Sequence, residues 1–177
     1  MKSTWKGILA GLAVVALFFP SFLQAAAGPK TLEEQVRHEL IMLPYYNVFD
    51  TLSFRVTGDK VTLTGEVTWP TLKSDAGNVV KRIPGVKSVD NQIEVLPLSP
   101  FDNRIRWAEL RAIYGNSALF RYNLMGPIAP IRIVVKNGHV TLEGVVANQM
   151  DKQIAGLAAN GVFGVFSVTN NLQVKTS

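Results

Sequence analysis

Apolar residues along this chain switch between helical and strand periods in an order that occurs twice. Leu32, Val36, Leu40 and Leu43 recur at helical spacing and share one face. Thr31 and Glu34 frame the start as a capping box, each side chain satisfying the other's backbone N–H, and Pro44 stops the helix. Leu52, Phe54 and Val56 then alternate as a strand, Gly58-Asp59 turns the chain, and Val61, Leu63 and Val67 form the partner strand. Pro70 opens a second helix that buries Leu72, Ala76, Val79 or Val80, and Ile83. Pro84-Gly85 ends it, and Val86–Val95 is the last strand.

The second pass follows the same plan. Asp102 caps a helix to about Tyr114, and Ile131, Ile133 and Val135 alternate before the hairpin turn Asn137-Gly138. His139–Val146 returns, a helix runs from about Gln149 to Asn160, and Val165–Val174 closes the unit. Gly58–Val95 and Asn137–Val174 align without a gap at a constant offset of 79 residues. An offset that long means two copies of one small domain, unlike the short periods of solenoids. The predicted fold is α+β: two tandem αββαβ domains, each a three-stranded mixed sheet backed by two helices.

Shared positions are of particular kinds. Gly65 and Gly144 sit late in a strand, where a missing side chain permits a bulge or the close approach of a helix. Ala76-Gly77 and Ala155-Gly156 let the second helix lie near the sheet, Gly85 and Gly164 turn it into the last strand, and Asn91 and Asn170 are placed to bond local backbone. Core and backbone repeat. No nucleophile, acid pair or metal cluster does, which favours a binding or scaffold module over an enzyme.

The start of the chain reads differently. Lys2 and Lys6 precede the apolar run Gly7–Leu23, and Gln24-Ala25-Ala26-Ala27 supplies small residues, the order of a secretory signal cleaved near Ala27. A retained anchor is the alternative, although the run is short for a span and Pro20 interrupts its end. Residues 1–27 are therefore set apart as a signal peptide, 28–96 as the first domain, 97–100 as a Pro-containing linker, and 101–177 as the second domain with an insertion at 115–130. With no cysteine, disulfides and thiolate metal sites are excluded. Gly28–Pro97 carries eight Lys and Arg against nine Asp and Glu, whereas Leu98–Ser177 carries eight against four. The basic half suits an anionic partner, and in an exported protein that means lipid head groups or other envelope polymers, not nucleic acid.

These residues resemble the BON domain, the bacterial OsmY and nodulation family. The second copy carries Ile131-x-Ile133-x-Val135-x-Asn137-Gly138-x-Val140-x-Leu142-x-Gly144-x-Val146, then Gly164-Val165-x-x-Val168-x-Asn170-x-Leu172-x-Val174. The first matches from Val56 onward, with Ile93 in place of the penultimate Leu. The resemblance implies export to the periplasm, contact with phospholipid and a part in envelope integrity or stress tolerance, without catalytic residues. Two stretches depart from the pattern: Tyr45-Tyr46-Asn47-Val48-Phe49 in the first copy and Gly115–Pro130 in the second.

Candidate surface residues lie on the helix Phe101–Tyr114. Phe101, Ile105, Ala108 and Ala112 form the expected core stripe, and Trp107, Leu110 and Tyr114 a second one nearly opposite. In one reading Trp107 and Tyr114 enter a head-group interface while Arg104, Arg106 and Arg111 pair with lipid phosphates. In the other, Gly115–Pro130 or the first domain covers the second stripe. Phe120, Arg121, Tyr122, Phe163 and Phe166 form a further candidate contact patch. The two histidines, His38 and His139, are not spaced as a metal pair, and Glu33, Glu34 and Glu39 read as a helix start and solvated face. No cofactor, metal or small-molecule substrate is expected. The expected function is non-catalytic binding of anionic phospholipid membranes. The alternative is a periplasmic protein-interaction or chaperone-like module that binds another envelope protein. An open sheet edge also leaves pairing between chains open.

Overall fold

The computed structural model describes residues 30–176 except 125 and 127; the apolar run 7–23 and the cleavage expected near Ala27 lie outside the described residues. The chain folds as two α+β units. The first comprises α1 (Leu32–Ile41), β1 (Thr51–Thr57), β2 (Lys60–Val67), α2 (Pro70–Lys81), β3 (Ser88–Asn91) and β4 (Glu94–Val95). The second comprises α3 (Pro100–Tyr114), a 3-10 helix (Ser117–Tyr122), β5 (Ile131–Lys136), β6 (His139–Val146), α4 (Gln149–Asn160), β7 (Ser167–Asn170) and β8 (Gln173–Val174). The capping box forms as expected, with Glu34 N–H donating to Thr31 Oγ1 and Thr31 N–H to the Glu34 carboxylate.

In each unit the middle strand pairs antiparallel with the first strand and parallel with the last. The last strand is broken in two, as β3 and β4 or β7 and β8, both beside the same middle strand. The repeated asparagine causes the break. Asn170 Oδ1 accepts the N–H of Leu172 at 3.3 Å, and its amide donates to Lys152 O in α4 at 2.7 Å. Asn91 does the same with Ile93 N–H and Lys73 O. Each asparagine therefore ties strand to helix, and the paired glycine makes room. A Cβ on Gly77 would stand 2.9 Å from the Asn91 amide nitrogen, and one on Gly156 2.8 Å from that of Asn170. Gly65 and Gly144 answer to a strand rather than a helix. Their Cβ atoms would meet Thr51 O at 2.2 Å and Pro130 O at 2.1 Å.

Two hydrophobic cores result. One gathers Val36, Leu40, Leu63, Leu72, Val80 and Ile93. The other gathers Ile113, Leu119, Ile131, Ile133, Leu142 and Leu172, and it also takes in Phe49 from the first unit. The departing segment Tyr45–Phe49 is thus the seam between the units. Asp50 sets its shape: fully buried, its carboxylate accepts from Thr68 N–H at 2.6 Å, Thr68 Oγ1 at 2.7 Å and Asn47 N–H at 3.1 Å. Val48 O then accepts from Ile133 N–H at 2.9 Å, and Arg132 donates to Asp50 O at 2.8 Å while lying 4.4 Å over the Tyr46 ring. An exposed Lys136–Glu94 ion pair at 2.5 Å spans the same seam.

Candidate functional site

α3 departs most from its expected disposition. Ser99 caps it, its Oγ accepting from Asp102 N–H at 3.1 Å, and Pro100 starts the helix. Asp102, expected as the cap, is instead buried, and its carboxylate receives the N–H groups of Asn137 and Gly138 at 2.9 and 2.8 Å. That bond holds the β5–β6 turn against the helix start.

The buried face of α3 is Asp102, Ile105, Arg106, Glu109 and Ile113. Of the expected core stripe only Ile105 is buried, with Ala108 and Ala112 half-buried and Phe101 at the surface. The helix is turned this way because it runs along the outer edge of β5 and completes that strand's hydrogen bonds. Arg106 Nη2 donates to Val135 O at 2.7 Å. The Tyr114 hydroxyl donates to Ile131 O at 2.5 Å and accepts from Ile131 N–H at 3.1 Å. With Val48 O on Ile133 N–H, this edge of the second sheet is covered by side chains and one carbonyl. Tyr114 is therefore corrected from a surface contact to an edge cap, and Arg106, buried, caps the edge through Nη2 rather than standing on the exposed ridge with Arg104 and Arg111; burial pushes the Tyr114 hydroxyl up to about 12. Leu110 is half-buried against the second core.

Arg104, Trp107 and Arg111 remain on the exposed face, at helical spacing along one ridge. Trp107 is 49% exposed, and Phe49 of the first unit packs edge-on against it, so the first unit covers it only in part. Hollows flank the ridge. On one side Phe101 and Phe163, which is 99% exposed, join the three ridge residues around a hollow of ≈ 570 Å³. On the other, a groove of ≈ 1020 Å³ lies where the first unit, the linker and α3 meet. Its walls include Phe49, Trp69, Leu98, Trp107, Leu110 and Leu124, and among the described residues Arg106 is the one charged residue lining it.

The candidate contact patch is divided. Phe120 is exposed on the 3-10 helix, and Arg121 reaches Asp151 at 3.6 Å. Tyr122 is corrected to a core position: its hydroxyl donates to Asp151 at 2.5 Å and accepts from Ala147 N–H at 2.6 Å. Phe166 lies against Phe101 and His139, each with ring centroids 6.0 Å away. Phe163 lines the hollow beside α3, and Phe166 packs on Phe101 of that helix.

Glu109 is fully buried and, among the described residues, neither carboxylate oxygen has a hydrogen-bond partner, so desolvation pushes its pKa up to about 8. At neutral pH it is a neutral carboxylic acid. Among the described residues no cluster of His, Cys, Asp or Glu is arranged to hold a metal ion, and no helix is long and apolar enough to cross a membrane.

The BON domain family model matches residues 30–97 and 117–176, more than half the chain. The chain belongs to the BON domain family. BON domains are linked with phospholipid binding and with envelope proteins. Both matched BON regions carry the Asn–Gly tie and the strand glycine, whereas α3 falls between the two matches. No curated protein matches the chain. Among solved structures, the C-terminal domain of CdsD, a structural protein of the Chlamydia trachomatis type III secretion system, is similar at 13% identity and a TM-score of 0.33, covering 80% of this chain and 96% of that one. A second structure of CdsD is similar at 14% identity and a TM-score of 0.31, covering 82% and 93%.

Trp69, Leu98 and Arg132 escaped the sequence reading. A signal existed for Trp69. It stands where the second BON region has Asn148, which caps α4 by accepting from Asp151 N–H, whereas Trp69 makes no capping bond. A cap is worth about 1 kcal/mol, so an exposed Trp at that position points to a surface role.

Proposed function

We propose that the protein is a non-catalytic, exported envelope protein that binds anionic phospholipid membranes through the ridge of α3. The carrying observation is the juxtaposition of Arg104, Trp107 and Arg111 on one exposed helical face, beside exposed Trp69, Leu98, Phe101 and Phe163. Indole suits the head-group boundary because its ring is apolar and its N–H polar. Guanidinium groups at the same level bind phosphate through two parallel hydrogen bonds. Scattered exposed apolar residues need no explanation, but a contiguous set rimmed by arginine marks an interaction surface.

The test is co-sedimentation with phosphatidylglycerol-containing and with pure phosphatidylcholine vesicles, at low and high salt. Selective binding to the anionic vesicles is expected, weaker at high salt because the Debye length shrinks. Trp107→Ala and Arg104→Glu/Arg111→Glu should each reduce it while the circular dichroism spectrum stays unchanged. Binding to neither vesicle, or equal binding to both by wild type and variants, overturns the reading. Binding of an envelope protein by variants that have lost the ridge would then favour the protein-interaction alternative.

A further inference from the structure

The groove beside the ridge is built differently from a surface that only touches head groups. Two domains and the linker border it, its volume of ≈ 1020 Å³ is just above the roughly 300–1,000 Å³ found for small-molecule sites, and its walls are mainly apolar. At its lining lies Arg106, only 6% exposed, with one bond from Nη2 to Val135 O and an Nε donor that has no partner. Among the described residues no carboxylate lines the groove. Trp69 and Trp107, 57% and 49% exposed, stand on its walls. Apolar walls with a single cationic group match a molecule with a long apolar part and one anionic head.

We infer that this groove takes one acyl chain of an anionic phospholipid, with its head toward Arg106 and the rim indoles. The inference deepens the membrane reading and rests on it for the class of ligand. It adds a step that surface adsorption lacks: a chain leaves the bilayer for the space between the domains. Leu98, 95% exposed on the linker, lines the groove where that chain would lie.

The experiment uses the full chain carrying Trp5→Phe, so that Trp69 and Trp107 are the only indoles. The probe is lysophosphatidylglycerol brominated at mid-chain, titrated below its micelle concentration while indole fluorescence is followed. Saturable quenching at one lipid per chain is expected. Leu98→Asp, a change at an exposed position, should weaken it about tenfold through the lost apolar contact. Trp69→Phe should leave Trp107 quenched by the same lipid. Absent or unsaturable quenching, or saturation unchanged by Leu98→Asp, overturns the inference. Vesicle binding separates the two ideas. A protein that sediments with anionic vesicles but shows no quenching by the monomeric lipid keeps the ridge and loses the groove. Quenching without vesicle binding does the reverse.

Discussion

The ring of Phe49, on the loop before the first sheet, meets the indole of Trp107 on α3 edge-on, with centroids 5.3 Å apart and planes at 78°. One residue comes from each unit, and Phe49 is counted in the core of the other unit. This contact fixes where the Trp107 ridge stands relative to Trp69.

Phe49→Ala is expected to cost about 3–5 kcal/mol, the range for truncating a buried aromatic. Because it empties a site in the second core, the loss should appear in the unfolding of the second unit although the change is in the first. In a double-mutant cycle with Trp107→Ala, a coupling of about 0.5–1.5 kcal/mol is expected for an aromatic pair. Urea unfolding followed by circular dichroism checks both, and strict additivity would show that the ring contact carries no energy.

The Asn–Gly tie predicts an inverted helix-propensity effect. Alanine normally stabilises a helix interior by about 1 kcal/mol over glycine. Gly156→Ala should instead destabilise, because its Cβ would stand 2.8 Å from the Asn170 amide that bonds Lys152 O. Adding Asn170→Ala removes the clash, so the double variant should lose less than the sum of the singles. The same pattern is expected for Gly77 and Asn91.

Glu109 makes stability fall as pH rises. Its folded pKa of about 8 lies above the unfolded value of 4.5, so between these values the folded state holds the extra proton. The stabilising contribution is complete below pH 4.5 and is lost as pH rises through about 8. Desolvated Asp50 is shifted in the same direction and adds to the trend. Glu109→Gln should flatten the profile across this window and raise stability at its alkaline end. Denaturation midpoints across the window for both proteins decide it, and parallel profiles would remove Glu109 from the account.

Tyr114→Phe tests the covered edge. The lost hydroxyl leaves Ile131 N–H and C=O without their shared partner, an expected cost of about 1–3 kcal/mol. The bared edge should also increase self-association, read by sedimentation velocity at rising concentration. The exposed Lys136–Glu94 pair is the contrast. Glu94→Gln should cost under about 1 kcal/mol, since water screens such pairs.

The elements were legible because each is encoded locally. Apolar period, capping box, the Asn137-Gly138 turn and the repeat offset place every main helix and strand in the right order. Positions of Arg106, Tyr114 and Tyr122 were not legible. A long amphipathic side chain reads the same whether its polar end reaches water or a strand carbonyl, and only the distant partner distinguishes them. Trp69 lay in view at a cap position, yet its neighbours Leu98, Trp107 and Leu124 come from three separate stretches of chain.

The sequence by itself determined the two α+β copies, the Asn and Gly positions that build them, and a helix before the second copy bearing arginines and a tryptophan. Those features depend on contacts within a copy or on local backbone preference, which periodicity records. Tertiary structure alone decided that Tyr45–Phe49 joins the units, that α3 seals the β5 edge, and that a groove opens between two tryptophans. Each of these depends on surfaces far apart in the chain coming into register, and no local pattern carries that information.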